Sequence, residues 1–261
     1  MDLEFDSRRV HVQTHGREVD PGRPSVVFVH GAGMDHTVWA LQSRAFAYRG
    51  RNALALDLPG HGASAGPPLD SIAALAAWLD WLLAALALPH AALVGHSMGA
   101  LVCLVQAARR PKRTERLVLL GAAARMPVHP DLLAAAADDR ARADALIAAW
   151  GHGRAGHVGG NPLPGGWRLG LALQVLAKAA PGVLRDDLAA CAAYDGDDGE
   201  RVRCPTLVLC GSEDRMTPAR KGGELAALIP GAETRTLPSG HMLMTEAPEA
   251  TLDALLGFLP G

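Results

Sequence analysis

An α/β architecture, a mostly parallel sheet covered by helices on both faces, is the fold class this sequence predicts, and three observations predict it. Short, unbroken apolar runs recur along the chain: Val26-Val27-Phe28-Val29, Ala53-Leu54-Ala55-Leu56, Ala91-Ala92-Leu93-Val94 and Thr206-Leu207-Val208-Leu209. A strand buried on both faces reads as such a run, whereas a half-exposed strand alternates. Stretches with helical spacing lie between the runs, the rhythm of a helix-covered parallel sheet. Glycine-bearing turns follow several of the runs directly, as in His30-Gly31 and Gly95-His96-Ser97.

The elements follow in order. Residues 9–14 alternate weakly and turn at His15-Gly16. The run at 26–29 is bounded by Pro24 and His30-Gly31, and residues 37–48 are helical in pattern. After the run at 53–56 comes Asp57-Leu58-Pro59-Gly60-His61-Gly62. Ile72, Leu75, Leu79, Leu82, Leu83 and Leu86 form one face of a helix over 70–86, with Ser71 as its N-cap. The run at 91–94 leads into a helix at 100–108, and residues 116–120 form a further strand. From 125 to 195 the chain is Ala-rich and helical with no strand signal, so these residues read as a helical cap inserted into a core made of 1–124 and 196–261. Within the cap, residues 151–166 are glycine-rich and are the expected mobile loop. Strand rhythm returns at 205–209 and 233–237, and residues 251–259 close the chain as a helix.

Composition bounds the function. A chain of 261 residues can bury roughly three quarters of its extended surface. The net charge of −2 and the lack of a long basic run argue against nucleic-acid binding. The five cations within 109–116 read as a solvated helix end. Cys103, Cys191, Cys204 and Cys210 form no CxxC pair and read as buried free thiols of a reducing compartment. The acidic N-terminus lacks an apolar signal region and no stretch is long enough to span a bilayer, so a cytoplasmic, membrane-free protein is expected. Heavy Ala, Gly and Arg usage suggests a bacterial source.

Gly95-His96-Ser97-Met98-Gly99 places a serine on a sharp strand-to-helix turn, with glycines where a β-carbon would strike neighbouring backbone. Serine is a weak nucleophile without a base. His241, in Pro238-Ser239-Gly240-His241 after the last strand, is the expected base. Asp214, in Gly211-Ser212-Glu213-Asp214 after the strand at 206–209, is the expected acid that orients it, with Glu213 as the alternative. The amides of Ala32 and Met98 are the expected oxyanion donors. His30 and His96 read as structural. His152 and His157 lack a third ligand in step, so no metal is expected.

These segments, with His30-Gly31-Ala32-Gly33, Ala63-Ser64, Pro218 and Glu246-Ala247-Pro248-Glu249, resemble the α/β-hydrolase superfamily, in the branch with a single helical cap. The resemblance runs from about residue 24 to the C-terminus and leaves only 125–195 without a pattern. It implies the α/β-hydrolase fold with an eight-stranded sheet, a Ser97–Asp214–His241 triad, and Asp57 and His61 as a structural turn. An aspartate at the elbow, as in similar dehalogenases and epoxide hydrolases, is excluded by Ser97.

The expected reaction is hydrolysis of a carboxylic ester, lactone or thioester through an acyl-enzyme on Ser97, without a cofactor and with a small-molecule partner only. Carbon–carbon bond hydrolases, enol-lactonases and lyases share the motifs, and a low-turnover small-molecule receptor is the alternative from another class. Trp39, Met126, Trp150, Trp167 and Met242 are candidate pocket residues, as is His36. A carbon–carbon hydrolase for acidic substrates wants a pocket arginine, for which Arg125, Arg154 and Arg168 are candidates. An aminopeptidase wants pocket acids, but Asp138, Asp139 and Asp144 read as surface. Asp186, Asp187 and the acids of 195–198 also read as solvated.

Overall fold

The computed structural model describes residues 1–157, 167–196 and 198–259. The apolar runs become strands with every residue buried: β3 (Ser25–Val29), β4 (Asn52–Leu56), β5 (Ala91–His96) and β7 (Thr206–Gly211). With β1 (Asp2–Phe5), β2 (Arg8–Gln13), β6 (Thr114–Leu120) and β8 (Glu233–Leu237) they form one sheet ordered β1-β2-β4-β3-β5-β6-β7-β8. The β1–β2 and β2–β4 pairings are antiparallel and the others parallel. β1 escaped the sequence reading because its Asp2-Leu3-Glu4-Phe5 is a half-exposed edge strand with charged alternate residues.

The helices are α1 (Ala40–Tyr48), α2 (Ile72–Ala85), α3 (Met98–Arg109), α4 (Pro130–Asp138), α5 (Arg140–Gly151), α6 (Arg154–His157), α7 (Arg168–Lys178), α8 (Val183–Ala193), α9 (Ala219–Leu228), α10 (Leu243–Glu246) and α11 (Pro248–Phe258). Ser71 caps α2 by accepting from the Ala74 amide at 3.3 Å. Phe46 of α1 and Leu255 of α11 pack on one face of the sheet with Phe28 and Val94. Leu79 of α2, Leu101 of α3 and Leu225 of α9 pack on the other with Val27 and Leu93. No helix of the described residues is long and apolar enough to cross a membrane.

β3 lies between β4 and β5, so the loops after β3 and β5 diverge and open a crevice at the carboxyl edge. Val29 pairs with Gly95, which brings residues 30–33 beside Ser97. Helices α4 to α8 run between β6 and β7 and share a small core of Leu132, Ile147, Leu176, Leu184 and Leu188, against which Ala32 packs. Within the glycine-rich stretch, residues 158–166 lie outside the described residues. Gly151 closes α5, and its carbonyl accepts from the amides of His241 at 2.9 Å and Met242 at 3.2 Å.

Three acids read as solvated are buried. Asp187, 1% exposed, faces inward from α8 onto His61 and the Gly33 amide. Asp198 accepts from the Tyr194 hydroxyl at 3.2 Å. Asp144 pairs with Arg140 at 2.7 Å. Each has a partner that offsets the cost of removing a carboxylate from water. Asp186 and Asp195 keep solvent contact, and Asp138 and Asp139 are exposed, while Asp197 lies outside the described residues.

Candidate active site

Ser97 sits between β5 and α3 with φ 52° and ψ −117°. That is the left-handed side of backbone space, sparsely populated by residues with a β-carbon and costing about 1–3 kcal/mol. The surrounding contacts hold it there. The Ser97 amide donates to the Leu120 carbonyl at 2.9 Å, and its own carbonyl accepts from Ala100 at 2.9 Å. A β-carbon on Gly95 would lie 2.3 Å from the Gly99 oxygen, and one on Gly99 would lie 2.4 Å from the oxygens of Val29 and His30. The turn can be this tight only with glycine at both positions.

The structure brings His241 and Asp214 together. His241 Nδ1 lies 2.8 Å from Asp214 Oδ2, with both side chains buried. The carboxylate accepts, so Nδ1 carries the proton and Nε2 is left with its lone pair. Thr217, which the sequence did not single out, donates its hydroxyl to Asp214 Oδ2 at 2.8 Å, and the amides of Met216 and Thr217 donate to Oδ1 at 2.8 Å each. Burial works against a charge on Asp214, but His241 and the Thr217 donors outweigh it and hold the carboxyl below its usual value. Glu213 is exposed and accepts from the Arg154 amide at 2.7 Å, with no hydrogen bond to His241.

His96 is fully buried and donates Nε2–H to the His241 carbonyl at 3.0 Å, which fixes the backbone of the base. Burial, then the neighbouring His241, push its pKa down to about 3, so it stays neutral. Glu246, to which the sequence assigned no role, accepts from the Gly153 amide at 2.8 Å and the Met242 amide at 3.3 Å.

Across the crevice, the Ala32 amide has no hydrogen-bond partner among the described residues. Met98 is the first residue of α3, where an amide has no acceptor within the helix. His30 donates Nδ1–H to the Gly31 carbonyl at 2.8 Å and accepts the Leu58 amide on Nε2 at 3.1 Å. It is therefore neutral, and burial first, then His61, push its pKa down to about 4. The Gly33 amide donates to Asp187 Oδ2 at 2.7 Å. Asp57 is fully buried and ties the turn at 57–63 together, accepting from His36 Nδ1 at 2.9 Å and from the amides of His36 and Ala63 at 2.8 Å.

Ser97 and His241 line a cavity of about 720 Å³ together with Ala32, Met126 and Trp150. A second cavity of about 330 Å³ shares Met34, Ile147 and Met216 with the first and is lined by Met242. Of the predicted pocket residues, Met126 and Trp150 reach the first cavity and Met242 the second. Trp39 does not: it is fully buried against Phe28, ring centroids 5.4 Å apart, in the core beneath α1. Trp167 is 67% exposed and lines neither cavity, because it precedes α7 on the outer side over Gly170. His36 is taken up by Asp57. Arg125 lines the first cavity and Arg168 the second, while Arg154 lies in an outer hollow with Arg215 and His157.

Among the described residues one cluster has metal-ligand spacing. Ligand atoms of His11, His36 and Asp57 lie within 4.8 Å of one another. Asp57 and His36 Nδ1 are bonded to each other as above, and His11 Nδ1 lies 2.7 Å from Asp2 Oδ1. The cluster reads as the brace of the 57–63 turn.

Comparison with known proteins places this geometry among relatives. The model of the family described as "Alpha/beta hydrolase family" matches residues 26–254. A curated relative named "Putative carbamate hydrolase RutD", from Caulobacter sp. (strain K31), is 31% identical over 254 residues, covering 92% of this chain and 91% of that one. The enol-lactonase from Burkholderia xenovorans LB400 superposes with a TM-score of 0.87 at 24% identity, over 99% of both chains. A thermophilic esterase superposes with a TM-score of 0.80 at 26% identity, over 99% of this chain and 96% of its own.

Proposed function

The chain belongs to the alpha/beta hydrolase family, and from that premise we propose that it is a serine hydrolase cleaving a carboxylic ester, lactones and thioesters included, through an acyl-enzyme on Ser97. The observation that carries this reading is the 2.8 Å contact of His241 Nδ1 with Asp214 Oδ2 on the wall of the cavity that also exposes Ser97. With Nδ1 protonated and held, Nε2 is the atom free to take the Ser97 proton.

In this mechanism Ser97 Oγ attacks the carbonyl carbon as His241 Nε2 removes its proton. The amides of Ala32 and Met98 hold the oxyanion, helped by the positive end of α3. His241 then gives its proton to the leaving alkoxide and the acyl-enzyme forms. A water molecule, deprotonated by the same nitrogen, releases the acid and restores Ser97. Asp214 orients the ring and stabilises the imidazolium without taking its proton. Residues 125–195 act as a cap whose inner face completes the pocket.

The same steps attack a carbamate carbonyl, and the curated relative carries that name. The test is therefore a panel of p-nitrophenyl esters of rising acyl length together with an aryl carbamate. Wild-type protein turns over a member of the panel and Ser97→Ala does not. Equal turnover by the two proteins would refute the reading. Labelling of Ser97 by a fluorophosphonate without turnover of any ester would move the assignment to the carbon–carbon hydrolases, lyases or receptors of this fold.

A further inference from the structure

The charged side chains that line the two cavities are of one sign. Arg125, Arg215, Arg220 and Lys221 line the larger cavity, Arg168 and Lys178 the smaller, and among the described residues no Asp or Glu lines either. The chain as a whole carries 27 acids and 25 Lys and Arg, so the lining is segregated and does not mirror composition. Compensation is partial. Glu224 pairs with both Arg220 and Lys221, and Asp35 with Lys178 at 4.0 Å. Arg215 has no carboxylate partner among the described residues, its Nη2 donating instead to the carbonyls of Ala149 at 2.8 Å and His152 at 3.3 Å. Arg125 forms no ion pair among the described residues and is an exposed residue of the lining. Three acids stand near the lining: Asp131 lies 3.9 Å from the lining residue His129, Glu213 accepts the Arg154 amide, and Asp195, beside the Gly196 that abuts Arg125, forms no ion pair among the described residues.

Backbone adds the same sign. Pro130 at the start of α4 and Pro218 at the N-cap of α9 both stand on the wall of the larger cavity, so two helix N-termini meet it. The same cavity is lined by the apolar side chains of Met126, Trp150 and Leu188. A largely apolar cavity that holds a nucleophile and only partly compensated cations suits a ligand with an apolar body and an anionic group.

We infer that the substrate is anionic: an acyl compound that carries a carboxylate apart from the scissile carbonyl, with Arg125 as its principal partner and Arg215 and Lys221 adding to the field. This rests on the acyl-transfer reading above and adds the substrate class to it. Arg suits the role because its planar guanidinium meets a carboxylate with two parallel hydrogen bonds. The exposed Arg125 also draws anions in from solution, an effect that salt screens.

The test compares mono-4-nitrophenyl adipate with 4-nitrophenyl hexanoate, which differ by a carboxylate in place of a terminal methyl, with Ser97→Ala as background. The readout is the ratio of their kcat/KM values, which is independent of how much of each preparation is folded. The expected ratio favours the adipate by about ten-fold at low salt, falls with added salt, and drops several-fold in Arg125→Gln. A wild-type ratio of one or below overturns the inference, as does a ratio that Arg125→Gln leaves unchanged. If neither ester is turned over, nor any member of the panel above, the acyl-transfer reading fails by itself. Calorimetric binding of monomethyl adipate against methyl hexanoate to Ser97→Ala then decides the inference, which stands only if the anion binds more tightly and loses that advantage in the Ser97→Ala/Arg125→Gln protein.

Discussion

Asp187 Oδ2 accepts a hydrogen bond from His61 Nε2 at 2.8 Å, both side chains 1% exposed, and the same oxygen accepts the Gly33 amide at 2.7 Å. His61 Nδ1 lies 3.0 Å from the Pro59 carbonyl, so both ring nitrogens face acceptors, an arrangement that favours the imidazolium. One carboxylate on α8 thereby joins the helical segment, the turn at 57–63 and the loop that offers the Ala32 amide.

This pair has a pH signature. Burial disfavours the charged ring, but Asp187 and the Pro59 carbonyl outweigh it and raise the His61 pKa above the ordinary 6.5. The folded protein therefore holds a proton that the unfolded chain releases. The stabilisation is fully present below pH 6.5 and is lost as the pH rises through the elevated folded value. Asp187→Ala is expected to cost about 3–5 kcal/mol at pH 6, because it strands a buried cation. Denaturant melts of wild type and Asp187→Asn across pH 6 to pH 9, a span bracketing the usual imidazole value of about 6.5, check the sign: the gap narrows upward, and a constant gap would refute the assignment.

Asp214 and Glu213 are neighbours with separate roles in the proposed reaction. Asp214→Asn is expected to lower kcat by about four orders of magnitude, since an amide cannot hold the His241 tautomer. Glu213→Gln leaves kcat within about three-fold, because its carboxylate bonds to the Arg154 amide. Steady-state kinetics of both variants on one ester decide it, and similar losses in the two would contradict the geometry.

Gly95→Ala and Gly99→Ala are each expected to cost more than about 3 kcal/mol, because the added carbon meets backbone at 2.3 and 2.4 Å. Gly223, exposed on α9 with nothing within 4 Å of an added carbon, is the opposite case. Gly223→Ala is expected to stabilise by about 0.5–1 kcal/mol through helix propensity. Thermal melts of the three variants give the comparison.

Asp57 carries an acid-side dependence. Burial opposes its charge, but His36 and the amides of His36 and Ala63 hold its pKa below the ordinary 3.8. Its contribution is therefore present above pH 3.8 and lost as the pH falls through the folded value. Asp57→Asn is expected to be less stable by about 1.5–3 kcal/mol near neutrality. The difference from wild type closes in acid, and urea melts at descending pH read it directly.

Local chemistry made part of this protein legible early. Val26–Val29 and Thr206–Leu209 declare buried strands because unbroken apolar runs have no other soluble use at that length. The elbow declares itself because only glycine fits beside Ser97, and Ser71 marks the start of α2 through a bond within one turn. The contact of Asp214 with His241 follows from both lying just past strand ends at one sheet edge. β1 was missed because an edge strand needs little apolar surface.

The sequence by itself determined the sheet rhythm, the serine turn and the placement of Asp214 and His241 just past strand ends, since each depends on neighbours within a few positions or on strand ends. Tertiary structure alone decided that Asp187 is buried on His61, that Trp39 belongs to the core while Trp150 faces the cavity, and that Arg125 and Arg215 line one cavity. On an Ala-rich helix the apolar pattern is too shallow to say which side faces inward. A carboxylate reads as solvated until its partner, here 126 positions away, is brought to it by the packing of α8 over the sheet edge.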